Sequence, residues 1–312
     1  MVGIAANGLF LLYFPFGHPD IHLFIWNPLT RQYIELSRPK QSLSYNFNYK
    51  LCFGFGASQI SGQYKVVCIN CDGSAHHVYT LGTGAWRRVE AGAASGFRFY
   101  LDGRVVCNGN LHWTVYDSTR TLSICGFDVE TECFNIFSAP PAAVDKRLIV
   151  ELGVLRDCLC VSYVWKDEIY IWLMKEYRVE ESWTFEYRLR YNAADFDFGA
   201  CTGIKSVYPI KVFSDGDVLM LMAPRHIDYD YRKKRLIYYS GKTGTIEQLG
   251  LIYEHLGPID EPLSTIGLFN RLTEKLRIME ELYVRNHLIH AMIFTPVLLS
   301  LKSFGIENVI LY

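Results

Sequence analysis

Short apolar runs punctuate this chain, at residues 64–69, 109–113, 158–163 and 218–222. Each has the length of a single strand. Between them a second pattern recurs. Trp26 is followed four positions on by Thr30 and three further by Tyr33. Tyr79, Thr83 and Trp86 repeat that register, as do Phe127, Thr131 and Phe134, and Tyr239, Thr243 and Ile246 repeat it with an aliphatic residue last. Trp172 with Trp183 reads as a fifth copy whose turn is longer. The unit is a hairpin: one strand ends at the first aromatic, a turn of Asn, Asp, Gly, Pro or Thr follows, and a second strand restarts the apolar alternation.

The leading aromatics stand 45 to 53 residues apart, with one final gap of 67 that holds an insertion. A period of roughly 40 to 50 residues, each containing a hairpin and two further strand-like runs, is that of a four-stranded propeller blade. One blade cannot bury both of its faces, so repetition around an axis supplies the core and protects the strand edges. The pattern therefore predicts an all-β, propeller-like array of four-stranded antiparallel blades, about five to seven of them, in a single domain over 1–312. A helix is expected over 267–286, where Leu268, Leu272, Leu276, Met279 and Leu282 recur at spacings of three or four. It makes 260–290 an atypical, helical insertion before the last strands.

Composition narrows the function classes. Half the residues are hydrophobic and 20% are charged, which fits a folded chain with an ample core. A net charge of -1 supplies no bulk attraction to nucleic acid or anionic lipid, and neither is expected as a partner. Nine cysteines, an odd number spread over a long chain, and the absence of any Asn-x-Ser/Thr sequon point to a reducing compartment, the cytoplasm or the nucleus. The apolar opening around Leu9 to Phe14 has no basic residue before it, unlike a secretory signal. The run 291–301 is too short to span a bilayer and carries Pro296.

Candidate chemistry is sparse. Cys68, Cys71, His76 and His77 are the one metal-like constellation, but residues three apart on a strand point to opposite faces and no second Cys pair follows, so no metal is expected. Cys158 and Cys160 share a strand face and read as core. Asp215 with Asp217 falls in a hairpin turn and Asp260 with Glu261 in a Pro-rich loop, so neither reads as an acid–base pair. No nucleophile elbow, zincin motif or phosphate-binding glycine pattern is present, and neither an enzyme nor a cofactor is expected. The most distinctive loop, 224–235, mixes tyrosines with both signs of charge. Its Arg225, His226, Tyr229, Tyr231 and Arg232 are the candidate partner-binding residues, because Tyr and Arg combine contact area with directed polar groups. The plainer alternative is a solvated hairpin tip with Arg232 to Arg235 protecting a strand edge.

Several ordered motifs resemble the F-box-associated interaction domain of plant F-box proteins, the type 1, kelch-related form. They are Asn7-Gly8-Leu9; Trp26-Asn27-Pro28 with Thr30-Arg31; Gly54-Phe55-Gly56 with Tyr64-Lys65-Val66-Val67; Asn108-Gly109-Asn110-Leu111-His112-Trp113; Phe127-Asp128 with Thr131 and Phe134; and Trp172 with Met174, Tyr177 and Trp183. In that resemblance Trp26, Asn27, Pro28, Tyr64, Lys65, Trp113, Phe127, Asp128, Trp172 and Trp183 are structural motif residues. It implies a non-enzymatic protein-binding domain, the substrate-receptor half of a Skp-cullin-F-box ubiquitin ligase, whose loops face an unidentified target protein. The F-box that precedes such domains is absent ahead of Asn7, so a Skp-type adaptor is expected only if an F-box is encoded upstream. The stretch 260–290 has no counterpart in the family pattern. Two alternatives stay open: an enzyme on a propeller scaffold, such as a kelch-type oxidase or glycan hydrolase, and a truncated competitor that binds a target without delivering it.

Overall fold

The expected hairpins form, and in four of the five copies the leading aromatic sits opposite its trailing partner. The computed structural model describes every residue except 1, 14–21, 38, 40–50, 71–75, 145–147, 192–204, 225–232, 254–277, 281–290, 294–300, 305–309 and 312. Blade 1 is built from β1 (Val2–Ala6), β2 (Leu9–Tyr13), β3 (Leu23–Asn27) and β4 (Gln32–Leu36). Blade 2 comprises β5 (Leu51–Ala57), β6 (Tyr64–Asn70), β7 (His76–Thr80) and β8 (Trp86–Val89). Blade 3 comprises β9 (Arg98–Cys107), β10 (Asn110–Tyr116), β11 (Leu122–Phe127) and β12 (Phe134–Ser138). Blade 4 has β13 (Val150–Leu155), β14 (Cys158–Trp165), β15 (Glu168–Met174) and β16 (Trp183–Arg190), and blade 5 has β17 (Lys205–Val212), β18 (Val218–Pro224), β19 (Lys233–Ser240) and β20 (Thr245–Tyr253). A two-stranded sheet of β21 (Ile278–Glu280) and β22 (Ala291–Ile293) follows, and β23 (Ile310–Leu311) returns to pair with β4.

Every blade is antiparallel in simple up-and-down order. The first strands of successive blades touch one another, β1 to β5, β5 to β9, β9 to β13 and β13 to β17, and β22 lies against β17. These strands line the axis, as in a propeller. The apolar core sits between blades rather than within one. Leu9, Leu11 and Ile25 of blade 1 meet Phe53, Phe55 and Val66 of blade 2. Val67 and Val78 meet Trp113 and Phe127, and Ile124 and Phe137 meet Val161 and Tyr163, at the next two seams. Cys160 and Ile171 then meet Val207 and Met220.

The repeat has a local cause. Trp26 pairs with Tyr33, Tyr79 with Trp86, Phe127 with Phe134 and Tyr239 with Ile246. The residue after each leading aromatic, Asn27, Thr80, Asp128 or Ser240, begins the turn. The Asn27 carboxamide oxygen accepts the Leu29 and Thr30 amides at 2.9 and 3.3 Å, and the Asp128 carboxylate accepts those of Glu130 and Thr131 at 3.0 and 2.9 Å. Such side-chain-to-backbone bonds nucleate a turn at that point. Five residues after the aromatic the backbone turns left-handed, at Arg31, Gly84, Glu132 and Gly244, with φ of 54°, 75°, 60° and 69°. The fifth copy departs from the register. A bulge at Ile171/Trp172 sets Trp172 opposite Phe185, and Met174 opposite Trp183 becomes the pair that closes the hairpin.

Two sequence expectations meet the structure near the end of the chain. Five four-stranded blades and a further two-stranded sheet agree with the expected array. The helix over 267–286 is corrected at residues 278–280, which form a strand with Ile278, Met279 and Glu280 opposite Ile293, Met292 and Ala291. Apolar residues three or four apart fit a strand as well when a second apolar run lies within pairing reach, because cross-strand hydrogen bonds then satisfy the backbone. The remainder of 267–286 lies outside the described residues. Among the described residues no helix is long and apolar enough to cross a membrane.

The Gly-Phe-Gly motif of β5 is explained by how closely blades 2 and 3 approach. A Cβ at Gly54 would lie 2.7 Å from both Leu111 Cδ1 and Trp113 Cζ2, and one at Gly56 would lie 2.9 Å from Val129 Cγ2. These neighbours are buried and cannot step aside. Gly54→Ala is expected to destabilise the protein by about 1–3 kcal/mol. The check is a lower midpoint of chemical denaturation at unchanged slope.

Candidate functional site

Each blade sends its first-to-second and third-to-fourth turns to one end of the propeller, and its remaining connections to the other. At the first end the turn of the β11–β12 hairpin is held against blade 2. Lys65 Nζ reaches Glu132 at 2.8 Å and the Glu130 carbonyl at 3.3 Å, and Arg87 pairs with the same Glu132 carboxylate. The Lys65 side chain is 5% exposed and that of Glu132 10%, so the pair is largely out of water. Glu130 accepts hydrogen bonds from the hydroxyls of Ser58 and Ser61, the latter at 2.6 Å, and these hold its carboxyl below the usual range. Tyr64, beside Lys65, donates its hydroxyl to the Asn7 carbonyl of blade 1 at 3.0 Å.

The next seam is built the same way. Arg178 of blade 4 reaches Asp128 at 3.4 Å, and its guanidinium lies 5.1 Å from the centre of the Tyr177 ring. The Tyr177 hydroxyl is 2.9 Å from His112 Nε2 and accepts the Asn110 amide at 3.2 Å. Asn110 in turn accepts the Val129 amide at 3.0 Å, and the Trp183 indole donates to the Ser138 carbonyl at 3.0 Å. Burial, and then the Arg178 charge, push the His112 imidazole down to about 3. It is therefore a neutral ring at the seam.

The motif residues thus occupy packing and stitching positions. Phe127 and Trp113 are fully buried, Trp26 and Trp172 partly so, and Pro28 lies in the β3–β4 turn. Asp128 and Lys65 span neighbouring blades. Of the metal-like constellation, Cys71 lies outside the described residues, and Cys68 faces His77 across the β6–β7 pair. His76 turns instead into an aromatic cage of Phe99 and Phe134, at 5.7 and 5.0 Å between ring centres. Among the described residues no group of three His, Cys, Asp or Glu side chains could hold a metal. Asp217 accepts the Gly241 amide at 2.7 Å and the Tyr238 hydroxyl, while Asp215 accepts the Asp217 amide at 3.3 Å, which makes both turn-formers. Asp260 and Glu261 lie outside the described residues. So do Arg225, His226, Tyr229, Tyr231 and Arg232, although the strands that flank them end on the face opposite the short hairpins. A cavity of about 10 Å³, the space of one water, lies among Ile4, Gly54, Arg104 and His112 where the inner strands of blades 1 to 3 meet.

The outer rim of blade 4 carries a surface that motif matching did not single out. Tyr163 stacks on Tyr170 at 5.1 Å, Tyr170 lies 5.9 Å from Phe185, and Phe185 lies 5.2 Å from Trp172. Phe185 is 43% exposed. Glu168 accepts the Tyr170 hydroxyl at 2.7 Å and pairs with both Arg188 and Arg190, at 2.8 and 3.4 Å. On the other face of the same strand Glu186 pairs with both Arg156 and Lys175, at 3.1 and 2.7 Å. Aromatics at 183, 185 and 187 followed by arginines at 188 and 190 were the signal available for it.

Comparison with known proteins places these features. A family model described as F-box associated beta propeller domain matches residues 3–258. The chain is 30% identical to the F-box protein CPR1 of Arabidopsis thaliana over 215 residues, 58% of this chain and 50% of that protein. It is 26% identical to a second F-box protein of the same plant over 265 residues, 73% of this chain and 60% of that protein. The chain spans about half the length of the curated relatives it matches. Among solved structures, a fucose-specific lectin from Aleuria aurantia is similar with a TM-score of 0.46 and 11% identity, over 83% of this chain and 79% of that one.

The seams make two predictions. Lys65→Met takes from the largely buried Glu132 its buried cation and leaves it the exposed Arg87, and a loss of about 1–3 kcal/mol is expected in denaturant titration. Adding Glu132→Gln to that variant should restore part of the loss, as a double-mutant cycle would show. The second concerns acid. Burial, and then His77, push the His76 imidazole from 6.5 down to about 4. Between those two values the unfolded chain binds more protons, so stability falls as pH drops from 6.5 toward 4. His76→Phe fills the aromatic cage with a ring that does not titrate, and the loss over that window is expected to shrink by about 2–3 kcal/mol in melts recorded against pH.

Proposed function

The chain belongs to the F-box associated beta propeller domain family, and from that membership we propose that it is the target-binding part of a plant F-box protein, one that brings an unidentified protein to a Skp-cullin-F-box ubiquitin ligase. The family match over 3–258 is the observation that carries this reading. The described polar groups agree with it. Lys65, Glu132, Asp128, Arg178 and His112 are consumed in holding blades together, which suits a rigid platform whose specificity lies in its loops and rim. Such a domain acts by binding and orienting its target, without chemistry of its own.

Target contacts are proposed for the end of the propeller from which the long connections leave. The strands that flank residues 225–232 end there, as do those that flank 14–22, 37–50 and 191–204, and Arg225, His226, Tyr229, Tyr231 and Arg232 are the proposed contacts. The adaptor contact is proposed only if an F-box segment is encoded upstream of Met1, and the compartment proposed is the cytoplasm or nucleus. A test starts by sequencing the transcript upstream of Met1. The full translated product is expected to co-purify with a Skp adaptor and to shorten the half-life of one captured protein, while the present chain captures that protein without adaptor and lengthens its half-life. A transcript with no F-box, or a captured protein whose turnover is unchanged, removes the ligase reading.

A further inference from the structure

The outer edges of the blades are β4, β8, β12, β16 and β20. One of them is already extended. β23 adds to β4 as a fifth strand, with Ile310 opposite Tyr33 and Leu311 opposite Gln32, so a blade of this protein accepts an extra antiparallel strand. Among the described residues no strand pairs with the outer edge of β16, which at eight residues is twice the length of β8.

What lines that edge defines its occupant. On one face of blade 4, Arg188 and Arg190 share the single carboxylate of Glu168, and their side chains are 59% and 83% exposed. On the other face, Arg156 and Lys175 share Glu186. On each face two cations thus share one carboxylate, with Asp157 and Asp167 in the adjoining turns. Glu176 and Glu181 on the β15–β16 turn bound the cationic stretch at that end. Phe185 lies on the Arg188 face with its ring against Trp172 and Tyr170, an aromatic anchor of the kind that carries interface energy. Side chains of an added strand alternate between the two faces and would meet a pair of exposed cations on each.

We infer that the outer edge of β16 is a docking site for an extended acidic segment of the partner protein, which adds to blade 4 as a fifth strand. The inference deepens the target-binding reading and rests on it. The competing role for the same arginines is protection of an open edge against self-association.

The probe is a fluorescein-labelled ten-residue peptide of alternating Glu-Glu and Val-Val pairs, which sets glutamates on both faces of an added strand, titrated with the full chain at low salt. Two controls replace glutamate by lysine, or N-methylate every second amide. Saturable binding of the acidic peptide is expected, at least tenfold weaker with either control and with the protein variants Arg188→Glu/Arg190→Glu and Phe185→Ser, whose folding is checked by thermal melts. Absence of binding, equal binding of the controls, or variants that bind like the parent each overturn the site. Self-association of Arg188→Ala/Arg190→Ala with peptide binding unchanged also overturns it, in favour of edge protection. The same variants in the full transcript product separate the two readings: target capture that survives them rejects this edge and keeps the receptor, whereas a parent protein that binds peptide but captures no target rejects the receptor.

Discussion

A four-stranded sheet with apolar residues on both faces has no side it can show to water. In this protein Phe53, Phe55 and Val66 face blade 1 while Val67, Val78 and Cys52 face blade 3, so blade 2 is stable only when sandwiched. The remaining architecture follows from that condition. Blades must be numerous enough to cover one another, and they must approach closely enough to exclude water. Gly54 and Gly56 are small because Trp113, Leu111 and Val129 fill the space a side chain would take.

Polar groups caught at these seams face a second condition, since a buried donor or acceptor without a partner costs about 1–3 kcal/mol. The chain meets it by placing charge in hairpin turns, where a short excursion reaches the neighbouring blade. Glu130 and Glu132 leave blade 3 to meet Ser58, Ser61, Lys65 and Arg87, and Arg178 leaves blade 4 to meet Asp128. Turns that look like surface punctuation are thus the fasteners of the ring.

Much of this was legible in the sequence because it is local. An aromatic, a turn-forming Asn or Asp, a threonine and a second aromatic prescribe a hairpin wherever they occur, and their recurrence implies blades. Lys65 and Asp128 were legible as motif positions, but their partners lie in other blades, 67 residues away for Lys65 and 50 for Asp128, and no local pattern announces such a pairing. Residues 278–280 were misread because apolar spacing over a short run serves helix and strand alike, and the strand is decided by 291–293. The blade 4 rim was overlooked for a related reason. Phe185, Arg188 and Glu168 look ordinary until the sheet sets them side by side.

The return of residues 301–304 and 310–311 toward the first blade ties late sequence to early structure. The Leu301 amide donates to Gln32 at 2.7 Å, Phe304 packs on Tyr64, and β23 completes the edge of β4. During synthesis, blade 1 emerges ahead of blades 2 to 5 yet keeps an open edge until residues 310–311 have followed. Closing so long a loop adds little equilibrium cost, since that cost grows only with the logarithm of length, but it makes blade 1 wait. Blade 1 precedes the other four in the chain and is yet among the last finished.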